Sequence, residues 1–432
     1  MPPALPNRGQ SPFFKRALTP ILLVCFLVAN VAHADAYSDA RSELVAAYQA
    51  QDFAAMHDAA YKALGARPGY PGALFNLAYG KALGGDPAGS LAEMIALVET
   101  GVDYDIANID DFAALKLLPD WQFYADAAAE LHTPVGEASV AYSHDVADFV
   151  PEGIAIDDDG TLYLGGIRHG SIVRIGNNPE EISSAITAGH WSVFGMRFGP
   201  DGGLWFVSAA VPEYAADNDD MAGRTGLFRL DLGAGVITQR TLLPKQDQAM
   251  VLGDLVFTDD DTIYATESLT GALYRYSVSS GELKEVVAPG KLRSMQGLVV
   301  DSSGQFLYVA DYVGGLFRVR LSDYSVERVL SEESQSLFGI DGLYRYGDEL
   351  IAIQNGIRPN RVIALTPAPN GTTIISSRIL ARKLPEFDEP TLGTIVGDDF
   401  LFVANSHWNR FDRDGNLPDD LQGPIILKIS LR

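Results

Sequence analysis

Apolar residues fall into two rhythms along this chain. From Asp35 to about Leu131 they recur at three- and four-residue steps, as in Leu44, Ala47 and Tyr48 and then Phe53, Met56 and Ala60. That is the spacing of one helix face. Asp52 and Asp86 each stand where they can cap a following helix, and they lie 34 residues apart. The stretches around them, ELVAAYQAQDFAAMHDAAYKAL and FNLAYGKALGGDPAGSLAEMIAL, share one layout of helix, short polar turn and helix. From about residue 137 the rhythm changes to that of strands. Six segments repeat a short apolar strand, an Asp/Gly turn, a second strand with an aromatic residue, a glycine and a third strand. They open at Pro151, Phe194, Gly253, Gln296, Asp341 and Glu389, with one longer step after the second. Asp-Gly and Asp-Asp between alternating apolar runs are hairpin chemistry.

A repeat of this length with four strands per unit predicts a β-propeller. The fold expected is mainly β: a six-bladed β-propeller over residues 137–432, preceded by an α-helical repeat region over 35–134. The helical region resembles tetratricopeptide repeats, whose period is about 34. Two such units are few, so docking on the propeller or on a protein partner is expected. After the sixth segment only Pro424 to Leu431 remains for a strand, and an unassigned strand-like stretch, Ala138 to Val146, precedes the first blade. The early stretch is predicted to supply the missing edge and close the ring.

Composition narrows the partners. With 32 basic and 56 acidic residues the formal charge is −24, which argues against nucleic acid and anionic lipid as ligands. Arg8, Lys15 and Arg16, the apolar run Ile21 to Ala32 and the sequence Ala32-His33-Ala34 read as a cleavable signal segment, residues 1–34. The protein is therefore expected to be periplasmic or secreted, with no stable membrane anchor after cleavage. Cys25, the only cysteine, falls inside that segment, so disulfides and thiolate chemistry are excluded from the mature chain.

In a propeller blade, strand one begins and strand two ends on the same face of the disc. The openings bring together Glu152, Phe194, Gly253 with Asp254, Gln296, Asp341, and Glu389 with Thr391; the second-strand ends add Gly166, Ser208, Glu267, Asp311, Asn355 and Asn405. So many acids around one axis repel unless their pKa values rise or a cation neutralises them. Hard oxygen donors at several angles suit calcium, less often magnesium or manganese. His407 and Trp408 follow Asn405 and are placed to supply a general base and an apolar wall. Arg358, just after Asn355, is placed to pair with a substrate carboxylate or a protein acid.

The blades resemble the senescence-marker-protein/gluconolactonase family of six-bladed propellers. Pro151-Glu152-Gly153, LYVADYVGGL from Leu307 and GIDGLY from Gly339 carry the resemblance. It implies one divalent cation on the axis and lactone hydrolysis, with Glu152, Asp254, Gln296 and Asp341 as the matching ligand positions and Glu152 and Asp341 assisting water. Two positions depart from the family: Gly253-Asp254 stands for its Asn-Asp pair and Gln296-Gly297 for its Asn-Gly. Two insertions, Ala210 to Thr225 with Asp217-Asn218-Asp219-Asp220 and Phe411 to Gly423 with Asp412, Asp414, Asn416, Asp419 and Asp420, are expected as solvated acidic loops beside the mouth. The function expected is an exported metal-dependent hydrolase of a lactone or related ester, with Glu152, Asp341 and His407 catalytic and Asn355, Arg358, Asn405 and Trp408 binding a small-molecule substrate. The alternative is a non-catalytic binding protein that uses the helical repeats and the propeller face.

Overall fold

Asp52 and Asp86 cap their helices, accepting the backbone N–H of Ala55 at 3.0 Å and of Gly89 at 2.9 Å. The helices they start, α2 (Phe53–Ala66) and α4 (Pro87–Glu99), alternate with α1 (Ala36–Gln49) and α3 (Pro71–Leu83), and each packs on the next. Leu44, Met56, Leu77, Leu91 and Met94 fill the space between them, and α5 (Trp121–His132) closes the region by burying Tyr124. This computed structural model describes residues 36–176, 179–183, 189–215, 221–412 and 415–432. The expected signal segment, Asp217-Asn218-Asp219-Asp220 and Asp414 lie outside the described residues.

The remainder is the six-bladed propeller that the strand rhythm predicts. Its innermost strands are β2 (Pro151–Ile156), β6 (Ser192–Phe198), β10 (Leu252–Phe257), β14 (Met295–Val300), β19 (Ile340–Tyr346) and β23 (Gly393–Val396). Each packs on the next and β23 packs on β2, so the ring is closed. Five blades build four antiparallel strands each from consecutive sequence, and blade five adds a short fifth strand, Leu330–Ser331, parallel to its outer edge. The sixth takes β23, β24 (Asp399–Val403) and β25 (Ile425–Ser430) from one end of the propeller and its outer strand, β1 (Ser139–Ser143), from the other. Antiparallel pairs such as Ser139 with Lys428 and Ser143 with Ile425 make that seam.

The helical region docks on the mouth end of blade five. Arg361, fully buried at the start of β21 (Arg361–Pro367), donates Nε to Gln354 Oε1 at 2.6 Å and Nη1 to the Gly101 carbonyl at 2.9 Å. The Ser336 N–H reaches Thr100 O at 3.1 Å, and the Asp103 N–H reaches Arg358 O at 2.8 Å. At the other side Arg382 donates to Glu130 O at 2.7 Å while its backbone pairs with Val135. Charge-assisted bonds to backbone carbonyls are stronger than neutral ones, and they fix register as well as contact. Ile357 belongs to the apolar core of the helical region, so the two parts share buried surface.

Candidate active site at the propeller mouth

The mouth is built by one irregularity repeated around the ring. In blades one to five the pairing of the inner strand with its neighbour slips near its start, spanning Pro151/Gly153, Val193/Met196, Leu252/Leu255, Met295/Leu298 and Ile340/Leu343. Such bulges re-aim a side chain and end regular pairing, which is why they gather at rims and sites. Four of the five carry a bulky or polar residue followed by glycine: Glu152-Gly153, Phe194-Gly195, Gln296-Gly297 and Asp341-Gly342. The glycines are required by close approach between blades. A side chain at Gly153 would run into the Phe194 carbonyl, one at Gly297 into Asp341 O at 2.6 Å, and one at Gly342 into Thr391 O at 2.9 Å.

Blade three reverses the order, and this corrects the expectation for Asp254. Gly253 holds the position that faces the mouth elsewhere, and Asp254 holds the glycine position. Its buried carboxylate, 1% exposed, accepts Arg197 Nη2 at 3.2 Å and the Leu255 N–H at 2.9 Å. Arg197 in turn lies over the Tyr344 ring, 5.4 Å from its centre. Asp254 is thus compensated by a protein cation, one layer beneath the mouth. Burial still outweighs Arg197 and holds the Asp254 carboxyl above its ordinary range. Arg197 and Tyr344 form this floor, and sequence reading passed over Arg197. A lone arginine inside the apolar run FGMRF was the available signal.

Above the floor stand Glu152, Asp341 and Glu389. Glu152, 7% exposed, accepts the Trp408 indole N–H at 2.7 Å; Asp341, 8% exposed, accepts the Asn355 amide at 2.6 Å. Burial, then the neighbouring Asp341 charge, pushes Glu152 well above the usual carboxylate range, although Trp408 and Thr391 favour its charged form. Burial lifts Asp341 to about 7 against the pull of Asn355, with Asp254 adding to the rise. Glu389 is also lifted to about 7, by burial first and then by the charges of Asp341 and Asp388, while Arg358 and the Asn409 N–H oppose the shift. Glu152 and Asp341 each sit at the bulged start of an inner strand, in blades one and five.

Glu389 has a left-handed backbone, φ 65°, unusual for a residue with a Cβ. Its carbonyl accepts the Ser406 hydroxyl at 2.8 Å and its carboxylate accepts the Asn409 N–H at 2.7 Å. Trp408 stacks on Phe194 at 6.2 Å and so walls the mouth beside Glu152. Asn355 Oδ1 is buried without a hydrogen-bond partner. Gln296 Nε2 donates to Ser294 Oγ at 3.2 Å, and its Oε1 accepts the more distant Ser268 hydroxyl at 3.4 Å. Arg358 is exposed at the rim, close enough to Glu389 to oppose its pKa shift.

Other expected site residues hold the scaffold instead. Both ring nitrogens of His407 are taken: Nδ1 by Asp388 at 3.1 Å, Nε2 by the Gln422 carbonyl at 2.9 Å. The imidazole is thus held from both sides by the scaffold. Asn405 is engaged largely by its surroundings, donating to Gly423 O at 3.0 Å, lying 3.2 Å from His407 Nε2 and accepting from the Ile425 N–H at 2.6 Å. Asp311 accepts the N–H groups of Arg293, Ser294, Val313 and Gly314, and Glu267 those of Val251, Leu269 and Thr270. Second-strand ends in these blades clip their own loops; first-strand openings make the mouth. The two insertions meet beside blade one, where Arg168 Nη1 donates to Glu213 O at 3.2 Å and Gly415 O at 2.7 Å. Asp412 accepts the Asn416 N–H at 2.8 Å and so closes its own turn.

No family model matches the chain, and no curated protein matches it. Among solved structures it is similar to the PQQ-bound aldose sugar dehydrogenase of Streptomyces coelicolor, at 16% identity over 69% of this chain and 100% of that one, TM-score 0.45. A catalytically inactive virginiamycin B lyase from Staphylococcus aureus with quinupristin matches at 15% identity over 68% and 100%, TM-score 0.45. A structural-genomics gluconolactonase candidate matches at 12% identity over 73% and 96%, TM-score 0.44. At these identities none assigns an activity to this chain.

Proposed function

We propose that the mouth is the active site of a hydrolase for lactones or related esters that works with a bound divalent cation, calcium by donor chemistry. The carrying observation is the gathering of Glu152, Asp341 and Glu389, whose carboxyl pKa values are raised first by burial, with Asp341 adding to the rise of Glu152 and Glu389. Among the described residues no three acids or histidines converge closely enough to enclose an ion. A site here would instead combine two carboxylates, Glu152 and Asp341, with neutral oxygens. Glu152 accepts from Trp408 and Asp341 from Asn355, and Asn355 Oδ1 is buried and unspent. An all-oxygen set of this kind fits a hard ion. Gln296 stands further round the rim.

A cation held there would polarise the ester carbonyl and acidify water. The residues of the chain do the rest. Glu389, with a pKa of about 7, exchanges its proton near neutral pH and suits a general base that takes a proton from attacking water. Trp408 and Phe194 give the ring of a substrate an apolar wall. Arg358 at the rim would favour substrates that carry a carboxylate. A non-catalytic binding protein is the second reading, favoured by the locking of His407, which removes the expected imidazole base.

The test is to strip the full chain with chelator and follow its melting temperature as calcium, manganese and zinc are returned. A rise with calcium that Glu152→Gln or Asp341→Asn abolishes supports the cation site. No rise with any of the three ions ends it. Aldonolactones and aryl esters then separate the readings: turnover that depends on the ion supports the hydrolase, and tight ion binding with zero turnover supports the binder.

A further inference from the structure

The bonds described above between the helical region and blade five run from backbone or guanidinium N–H groups to backbone carbonyls, partners whose protons stay in place between about pH 5 and 8. One junction is different. His132, the last residue of α5, has Nε2 2.8 Å from Asp103 Oδ2 and Nδ1 2.9 Å from Nζ of Lys383. Lys383 belongs to the propeller and directly follows the fourth strand of blade five, Thr373–Arg382. Its backbone is left-handed, φ 50°, and its N–H is held by Asn360 O at 3.2 Å, so the turn that carries the ammonium is anchored in the scaffold.

An ammonium has three donors and no acceptor. His132 Nδ1 therefore accepts from Lys383, and the one ring N–H is on Nε2 and donates to Asp103. The Asp103 carboxylate, 1% exposed, also accepts the Tyr124 hydroxyl and the Asp105 N–H at 2.8 Å. The network is complete with a neutral imidazole. Histidine is the side chain that takes up a proton between about pH 5 and 8. On His132 that proton has only Nδ1 to occupy, where it would point at the ammonium and set two donors and two positive charges in contact. Asp103 would keep the imidazolium as an ion pair within the helical region, and Lys383, which is exposed, would turn into water. The other charges nearby do not take its place. Arg382 has the same sign and is bound to Glu130 O and Thr133 O; Glu130 is exposed and acts on Arg382; the Asp105 carboxylate binds Asn108.

We propose that His132 is a proton-operated latch between the helical region and blade five: Lys383 is fastened to α5 while the imidazole is neutral and released when it is protonated. The latch adjoins the antiparallel pair of Val135 with Arg382, whose two N–H groups report on it. Hydrogen exchange of the full chain, read by mass spectrometry on peptides that carry Val135 and Arg382 and corrected for intrinsic rate, is compared at about pH 5.5 and about pH 7.5. The parent chain should lose about fivefold in protection at the lower pH, the weight of one net hydrogen bond. His132→Gln offers the same donor to Asp103 and the same acceptor to Lys383 with no proton to gain, so its protection should not change with pH. Lys383→Met should match the released state at both. Absence of the step from the parent chain overturns the latch. So does a step that survives in either variant, since both keep Glu152, Asp341 and Glu389 and with them any pH response of the mouth. Should His132→Gln melt early, Lys383→Met, at an exposed position, carries the same comparison.

Discussion

Arg197→Met isolates the consequence of the reversed glycine in blade three. It leaves Asp254, 1% exposed, without its cation, while the methionine keeps most of the apolar volume under Tyr344. Breaking a buried pair from one side costs about 3–5 kcal/mol. For a chain of this size about 2 °C accompanies each kcal/mol, so the melting temperature should fall by about 6–10 °C. Asp254→Gly alone strands the guanidinium, but the Arg197 side chain is 22% exposed and also holds Met196 O at 2.7 Å, so the loss should be smaller. The double variant puts glycine where four other blades have it and should return to within about 1–2 kcal/mol of the parent, since well-packed apolar replacements of buried pairs are close to neutral. Urea unfolding followed by tryptophan fluorescence, with calorimetry to check cooperativity, measures the cycle; a coupling of about 2 kcal/mol or more is expected. Additive single losses would refute the pairing. If Asp254→Gly instead left stability intact but abolished the calcium response, the residue would return to the role of ion ligand.

Three further outcomes follow from the same geometry. Asp341 and Glu389 sit at about 7 in the fold against ordinary values of 3.8 and 4.5, so the folded chain keeps protons that the unfolded chain releases. Their contribution to stability is full below about pH 4 and is lost as pH climbs through about 7; melts between pH 4 and 8 in chelator should show the decline, and saturating calcium should flatten it. Arg361→Met removes the donor to Gln354 Oε1 and Gly101 O, each orphaned acceptor costing about 1–3 kcal/mol, and limited proteolysis should then cut faster between Thr100 and Asp105. His407→Gln should lower the melting temperature through loss of the Asp388 and Gln422 bonds yet leave the pH profile of any hydrolysis unchanged; a lost alkaline or acidic limb would restore His407 as a base.

The blades were legible because hairpin turns and strand periodicity are local: Asp157 to Gly160 or Asp201-Gly202 announces a turn whatever lies across the ring. The places of Glu152 and Asp341 near the openings of inner strands were legible for a related reason, since the strand rhythm marks where each blade begins, and Glu389 lies just ahead of such a strand. Asp254 was misread because a bulge shifts register by one residue, and one residue exchanges a mouth position for one between blades. Asn405, Asp311 and Glu267 were misread because a polar side chain at a strand end serves a ligand and a nearby N–H equally well in sequence. Arg197 and the Arg361 bridge depend on partners 57 and 260 positions away, beyond what any local pattern carries.

The seam of blade six has a consequence for how the ring is made. β1 is synthesised before any blade, yet its partner β25 contains Ile425–Ser430, so the earliest strand of the propeller waits for nearly the latest. Until then β1 and β24 each present unpaired N–H and C=O groups to the cell. The sixth blade alone needs both ends of the propeller segment before its four strands can pair.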